Sequence, residues 1–187
     1  MILKQLKTRT ATLHKETEED NLAKYILDHS ITTNQYQSLL VQNFKAYATL
    51  SELSEEYAEL VPSNLKKFAD AQKTEALKRD LNQLDALVLD KLTIKIPQSI
   101  SSSFMLGMIY VAEGSMMGGL LIRKNLEACS NLEHIKKHHF FGKSAPDVLN
   151  RWKSFTEAVD TQSYTDVEID DAVAGANFAF SVFKQSY

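Results

Sequence analysis

Apolar residues recur at helical spacing along almost the whole chain, in six stretches at roughly 2–29, 32–60, 63–91, 98–129, 145–160 and 166–185. The breaks between them carry helix-boundary chemistry. Ser30-Ile31-Thr32-Thr33 offers a threonine cap into the second stretch, Pro62-Ser63-Asn64 opens the third, and Ser144-Ala145-Pro146-Asp147 opens the fifth. The prolines, Pro62, Pro97 and Pro146, each stand near a helix start and interrupt no periodic run. Thr93-Ile94-Lys95-Ile96 is the one alternating β-branched run, too short to outweigh its helical surroundings. No repeat or linker divides the chain, so the pattern predicts an all-α, single-domain, multi-helix bundle over residues 1–187.

The fourth stretch is the unusual one. Of six glycines in the chain, Gly107, Gly114, Gly118 and Gly119 fall inside its apolar run Ser103 to Ile122. A glycine in a helix interior costs about 1 kcal/mol relative to alanine, so a cluster needs a reason. Positions 107, 114 and 118 are spaced i, i+7, i+11 and share one helical face. Two readings fit: a bare, bent stripe that lets a flat ligand approach the backbone, or close packing of a second helix.

Composition narrows the classes. With 44% hydrophobic and 24% charged residues the chain is an ordinary globular sequence, and a formal net charge of −3 argues against a nucleic-acid partner. Glu113 and the glycines interrupt the best membrane-span candidate, so no membrane segment is expected. The start, Met1-Ile2-Leu3-Lys4, enters an amphipathic pattern without a signal-peptide core, and the expected compartment is the cytoplasm. Cys129, the lone cysteine, rules out an intrachain disulfide and a cysteine-only metal site.

Among five histidines, His14 stands out. Lys7 precedes it by seven residues on one helical face, about 10.5 Å away, and Glu18 follows at i+4. An imidazole with an orienting carboxylate and a distant cation suits a planar ligand with a metal centre and an anionic rim; the same pattern also fits a surface histidine in a Glu/Lys-rich helix. His29 reads as a helix-end residue. His134 and His138 share an i, i+4 spacing, but the Lys136-Lys137 pair between them opposes a cation, so that segment reads as solvated. No histidine has a glutamate three residues before it, which disfavours a di-iron bundle, and phosphate-loop, nucleophile-elbow and dinucleotide motifs are absent.

Taken together, Leu6-Lys7-x-x-Thr10-x-x-x-His14-x-x-x-Glu18 and, a hundred residues on, Tyr110-Val111-x-Glu113-Gly114-Ser115-x-x-Gly118-Gly119 resemble heme oxygenase, above all its bacterial biliverdin-producing branch. Weaker echoes are Arg79-Asp80-Leu81, Phe140-Phe141-Gly142 and Trp152-x-x-Phe155. The resemblance implies heme held between a proximal helix and a glycine-rich, kinked distal helix. It makes His14 the axial ligand to iron, Glu18 its neighbour, Lys7 a propionate partner and Lys153 a second. Gly114 and Gly118 become the distal backbone against the heme. The implied reaction uses heme as cofactor and substrate and yields biliverdin, carbon monoxide and ferrous iron. It consumes dioxygen and electrons from an external donor such as ferredoxin or a reductase, and the resemblance adds a bilin-binding phytochrome as a candidate downstream partner. One departure bears on proton delivery: Ser115 stands where the animal branch has aspartate. The rival reading is a non-catalytic heme carrier or sensor using the same His14 and glycines; an interaction protein that has lost the cofactor comes after it.

Overall fold

The structure is a computed structural model that describes residues 1–86 and 92–187. Its helices, in chain order, are α1 (Ile2–Arg9), α2 (Ala11–Glu19), α3 (Lys24–Leu27), α4 (Thr33–Glu56), α5 (Gln72–Gln83), α6 (Ser102–Leu126), α7 (Ala145–Val159) and α8 (Asp166–Ser186). Among the described residues there is no β-strand.

The all-α expectation holds, with two revisions to the helix boundaries. The first predicted helix is three. Thr10 interrupts it between α1 and α2: its hydroxyl donates back to the Leu6 carbonyl at 2.7 Å, a local bond that bends helices. The main chain nonetheless stays almost helical through the break, since the His14 N–H donates to the Thr10 carbonyl at 2.9 Å. A turn then separates α2 from the single-turn α3. The third predicted helix shrinks to α5. Pro62-Ser63-Asn64 opens only turns and a short 3-10 segment (Lys66–Phe68), and its predicted end at 87–91 lies outside the described residues.

The capping expectations are met where side chains close the first turn. Thr32 and Gln35 form a reciprocal capping box at the start of α4. At the start of α7 the Asp147 N–H donates to the Ser144 hydroxyl at 3.2 Å, with Pro146 in the first turn. Thr165 and Glu168 close α8 in the same reciprocal way.

The core is organised around α8. Its most extensive packing is on α6, and it also carries α4, α1 and α2; α5 lies on α4, while α7 and α3 lie on α6. The α6–α8 crossing is close enough to need glycine. A Cβ at Gly107 would fall 1.8 Å from the Ala172 carbonyl oxygen, and one at Gly175 would fall 2.0 Å from the Phe104 carbonyl oxygen. Gly107 is therefore a packing glycine, and the bare stripe divides into two parts with different neighbours. By length and composition alone α6 is apolar enough to cross a membrane, because glycines and a single carboxylate do not lower its hydropathy enough. Its packing on α8 and α7, and the burial of its one carboxylate, Glu113, make it a core helix of this bundle.

Candidate heme site

Beyond Gly107 the surroundings of α6 change. Gly118 is exposed, with nothing within 4 Å of where its Cβ would lie, and Ser115 is exposed one turn before it. The helix runs without interruption through Gly114, Gly118 and Gly119. On one flank a Cβ at Gly114 would meet the Trp152 ring at 3.6 Å; on the other a Cβ at Gly119 would meet Phe141 at 4.0 Å. Leu121, 54% exposed, extends the bare face toward the C-terminus.

Ser115 is tied to the bundle by a hydroxyl chain. Its Oγ lies 2.5 Å from the Tyr47 hydroxyl of α4 and 3.0 Å from the Ala112 carbonyl, to which it donates, so Tyr47 is the donor to Ser115. Tyr47 is buried, and burial pushes its phenol well above the ordinary range, so it keeps its proton. Its ring packs edge-on against Phe183 of α8 at 5.2 Å and against Phe140 at 5.3 Å.

The same aromatic layer reaches α2. Phe180, one turn before Phe183, stands 5.3 Å from the His14 ring. Ser115 and His14 thus belong to two helices joined by a common floor of Tyr47, Phe183 and Phe180. Both α2 and α6 pack on α8, without comparable packing on each other.

His14 is more than half exposed (54% of its side chain), and its Nε2 lies at ion-pair distance, 3.4 Å, from the Glu18 carboxylate. One imidazole nitrogen can serve the carboxylate while the other faces a metal, and a half-turn about χ2 exchanges the two. Lys7 is exposed on α1 and carries no ion pair among the described residues. Lys153 is exposed on α7, beside Trp152, with Glu157 at 3.8 Å.

Behind the bare face, α6 is anchored by charge. Glu113, 2% exposed, accepts from the Lys73 ammonium of α5 and from Arg151 of α7, whose Nε lies 2.7 Å from Oε2 and whose second contact to Oε1 is 3.0 Å. Arg151 also reaches Asp70 at 3.0 Å. Burial draws the Lys73 ammonium below its ordinary range despite Glu113. For Arg151, desolvation is outweighed by Glu113 and Asp70, which hold the guanidinium above its ordinary range. A buried carboxylate with two cationic partners ties three helices at the residue before Gly114.

Two of the weaker sequence echoes also meet. Asp80 accepts the main-chain N–H of His139 at 2.6 Å and of Phe140 at 2.8 Å, which fixes the loop that carries Phe140 and Phe141 to α6. The other histidines lie elsewhere. His134 is exposed and His138 half-buried in a non-helical segment, so their i, i+4 spacing makes no shared face. The Tyr36 hydroxyl sits 2.6 Å from His138 Nδ1. His29 adopts a left-handed φ of 60° at the end of α3 and donates through Nε2 to Asn125 Oδ1 at 3.0 Å. No cluster of three metal-ligating side chains occurs among the described residues.

The family model for heme oxygenase matches residues 1–187. The chain belongs to the heme oxygenase family. Members of this family degrade heme with an oxygenase reaction, heme being both substrate and prosthetic group. A heme oxygenase from Guillardia theta is 24% identical over 192 residues, covering 95% of this chain and 81% of that protein. The fold is that of the Neisseria meningitidis heme oxygenase, whose crystal structures have NO and CO bound. The match has a TM-score of 0.72 at 23% identity over 100% of this chain and 89% of that one.

The residues present fit a heme. An exposed imidazole stands on one helix, an exposed helical backbone without side chains on another, and an aromatic floor joins them. Sequence reasoning named His14, Glu18, Ser115 and the glycines. It missed Tyr47, Trp152 as a wall, and the Lys73–Glu113–Arg151 cluster. Only the cluster had a signal: a lone carboxylate in an apolar helix requires a buried partner, though nothing in the spacing says which.

Proposed function

We propose that this protein is a heme oxygenase that opens heme to biliverdin, releasing carbon monoxide and ferrous iron, with dioxygen as oxidant and an external ferredoxin or reductase as electron donor. The observation that carries this reading is the pairing of exposed His14 with the bare surface at Gly118 and Ser115 across one aromatic floor. The heme–iron unit supplies dioxygen reduction and ring opening when bound. The chain's residues bind, orient and place protons.

His14 would supply a nitrogen ligand to the heme iron, and Glu18 would orient its ring. Lys7 and Lys153, both exposed, would bind propionates by charge-assisted hydrogen bonds. Gly118 keeps the distal surface free of side chains, and Gly114 shares that surface with Trp152. Ser115 takes the position of the animal aspartate. With Ala112 O accepting its proton, its oxygen receives the Tyr47 hydroxyl, so Tyr47 holds a proton one hydrogen bond behind the distal face. Tyr47 also lines a small cavity of about 20 Å³, room for about one water, where Ser51, Ser54, Asp70 and Lys73 stand among apolar neighbours; a water there can resupply that proton. A cytoplasmic location and supply of a bilin to a phytochrome fit this reading.

The decisive test separates an oxygenase from a carrier. Hemin-loaded protein is given oxygen and a chemical or ferredoxin-based reductant, and pigment is followed by absorbance and chromatography. Formation of biliverdin with release of iron is expected. Stable hemin through many equivalents of reductant would instead make the protein a heme carrier or sensor.

A further inference from the structure

The two distal glycines have different surroundings. Beside Gly114 the space is already filled, by the Cη2 and Cζ3 edge of Trp152 at 3.6 Å, whereas beside Gly118 there is nothing within 4 Å. On a helix, Gly114 lies about 40° to one side of Gly118, and Ser115 and Gly119 lie about 60° and 100° to the other. The open strip over Gly118 therefore has two walls. One is Trp152; the other is Tyr47 with Phe141.

The walls differ in how they are held. Trp152 stacks on the buried Phe155 at 5.4 Å with an interplanar angle of 27°, and lies 5.9 Å from Tyr110 of α6. Its neighbour in sequence, Arg151, is bonded to both Glu113 oxygens, so α7 is indexed to α6 at the residue before Gly114. The indole is nonetheless only half-buried, with part of its surface still uncovered. A large, rigid apolar edge beside an open strip limits how far a planar ring can travel sideways.

We infer that Trp152 is a specificity-determining residue: it sets the lateral position of heme on α6, and so which edge of the macrocycle faces Ser115. This rests on the heme reading above. The Arg151–Glu113 pair acts through Trp152 as its positioning device.

The test uses full-length protein loaded with hemin, in wild type, Trp152→Phe and Trp152→Ala. One readout is the heme-methyl proton NMR pattern of the cyanide-inhibited ferric complex, which reports placement without turnover. The other is the ratio of biliverdin isomers. Removing the wall lets the ring slide toward α7, so Trp152→Ala should add a second set of methyl resonances and change the isomer ratio at least twofold. Trp152→Phe should shift both in the same direction by less. Thermal melts identify folded variants, and if Trp152→Ala does not fold, Trp152→Phe decides. Wild-type methyl patterns and isomer ratios in the folded variants overturn the inference while leaving the heme reading intact. Failure of the wild type to take up hemin removes both.

Discussion

At its N-terminal half α6 uses Gly107 to touch another backbone; at its C-terminal half it uses Gly118 to leave a strip of backbone open. A methyl group at Gly107 has no room, while one at Gly118 would project into open space. Both classes of glycine cost helix stability, yet only the first is repaid within the fold, by the close α6–α8 crossing. The second, on the proposed reading, leaves room for the face of a heme. Glu113 stands between the halves, fixing the position of the open part through Lys73 and Arg151.

The largest expected effect comes from that junction. Glu113→Ala leaves Lys73 and Arg151 facing each other without the carboxylate, and should cost about 3–5 kcal/mol of stability. Chemical denaturation checks it, and a loss below about 1 kcal/mol would mean that the cluster does not anchor α6. Next in size, Gly107→Ala should destabilise by about 1–3 kcal/mol or more, because two backbones must part. Gly118→Leu should do the opposite, leaving stability unchanged or raising it by up to about 1 kcal/mol, while hemin-dependent biliverdin formation falls. Equal destabilisation by both substitutions would erase the distinction between the two halves.

That distinction was only half legible in the sequence. Spacing put Gly107, Gly114 and Gly118 on one face, and the face is real, but periodicity cannot say that α8 covers one end of it and leaves the other bare. Helix existence was readable from apolar recurrence and caps such as Thr32 and Ser144. The break at Thr10 was not, since it depends on one hydroxyl bonding back to Leu6. His14 and Ser115 stand out in the sequence because they sit in local patterns. Tyr47, sixty-eight positions before Ser115, was hidden because a buried tyrosine on an amphipathic helix looks like any core residue until its hydroxyl partner is known.

Smaller effects probe the proposed propionate contact of Lys7 and the loop beside Gly119. Lys7→Glu replaces an exposed cation by an anion and should weaken hemin binding by about 1 kcal/mol at low ionic strength, less at high salt. Unchanged affinity in dilute buffer would remove Lys7 from the site. The loop that brings Phe141 to Gly119 gives a pH effect. Burial holds His138 below the ordinary imidazole range, with its Nδ1 2.6 Å from the Tyr36 hydroxyl. The unfolded imidazole, near pKa about 6.5, takes a proton more readily. The stability contributed by neutral His138 is therefore fully present above about pH 6.5 and is lost as pH falls below it toward the folded value. Melting temperature should drop on acidification below that point, and His138→Gln should flatten the drop; parallel curves would show that His138 contributes nothing to it.

The central claim is that α2 and the open half of α6 form one heme site through His14. A hemin titration of wild type and His14→Ala, followed through the Soret band and the ligand-field bands, tests it directly. The wild type should bind one hemin with a histidine-ligated spectrum, and His14→Ala should lose that spectrum while remaining folded. Identical spectra and affinities in the two proteins would contradict the assignment.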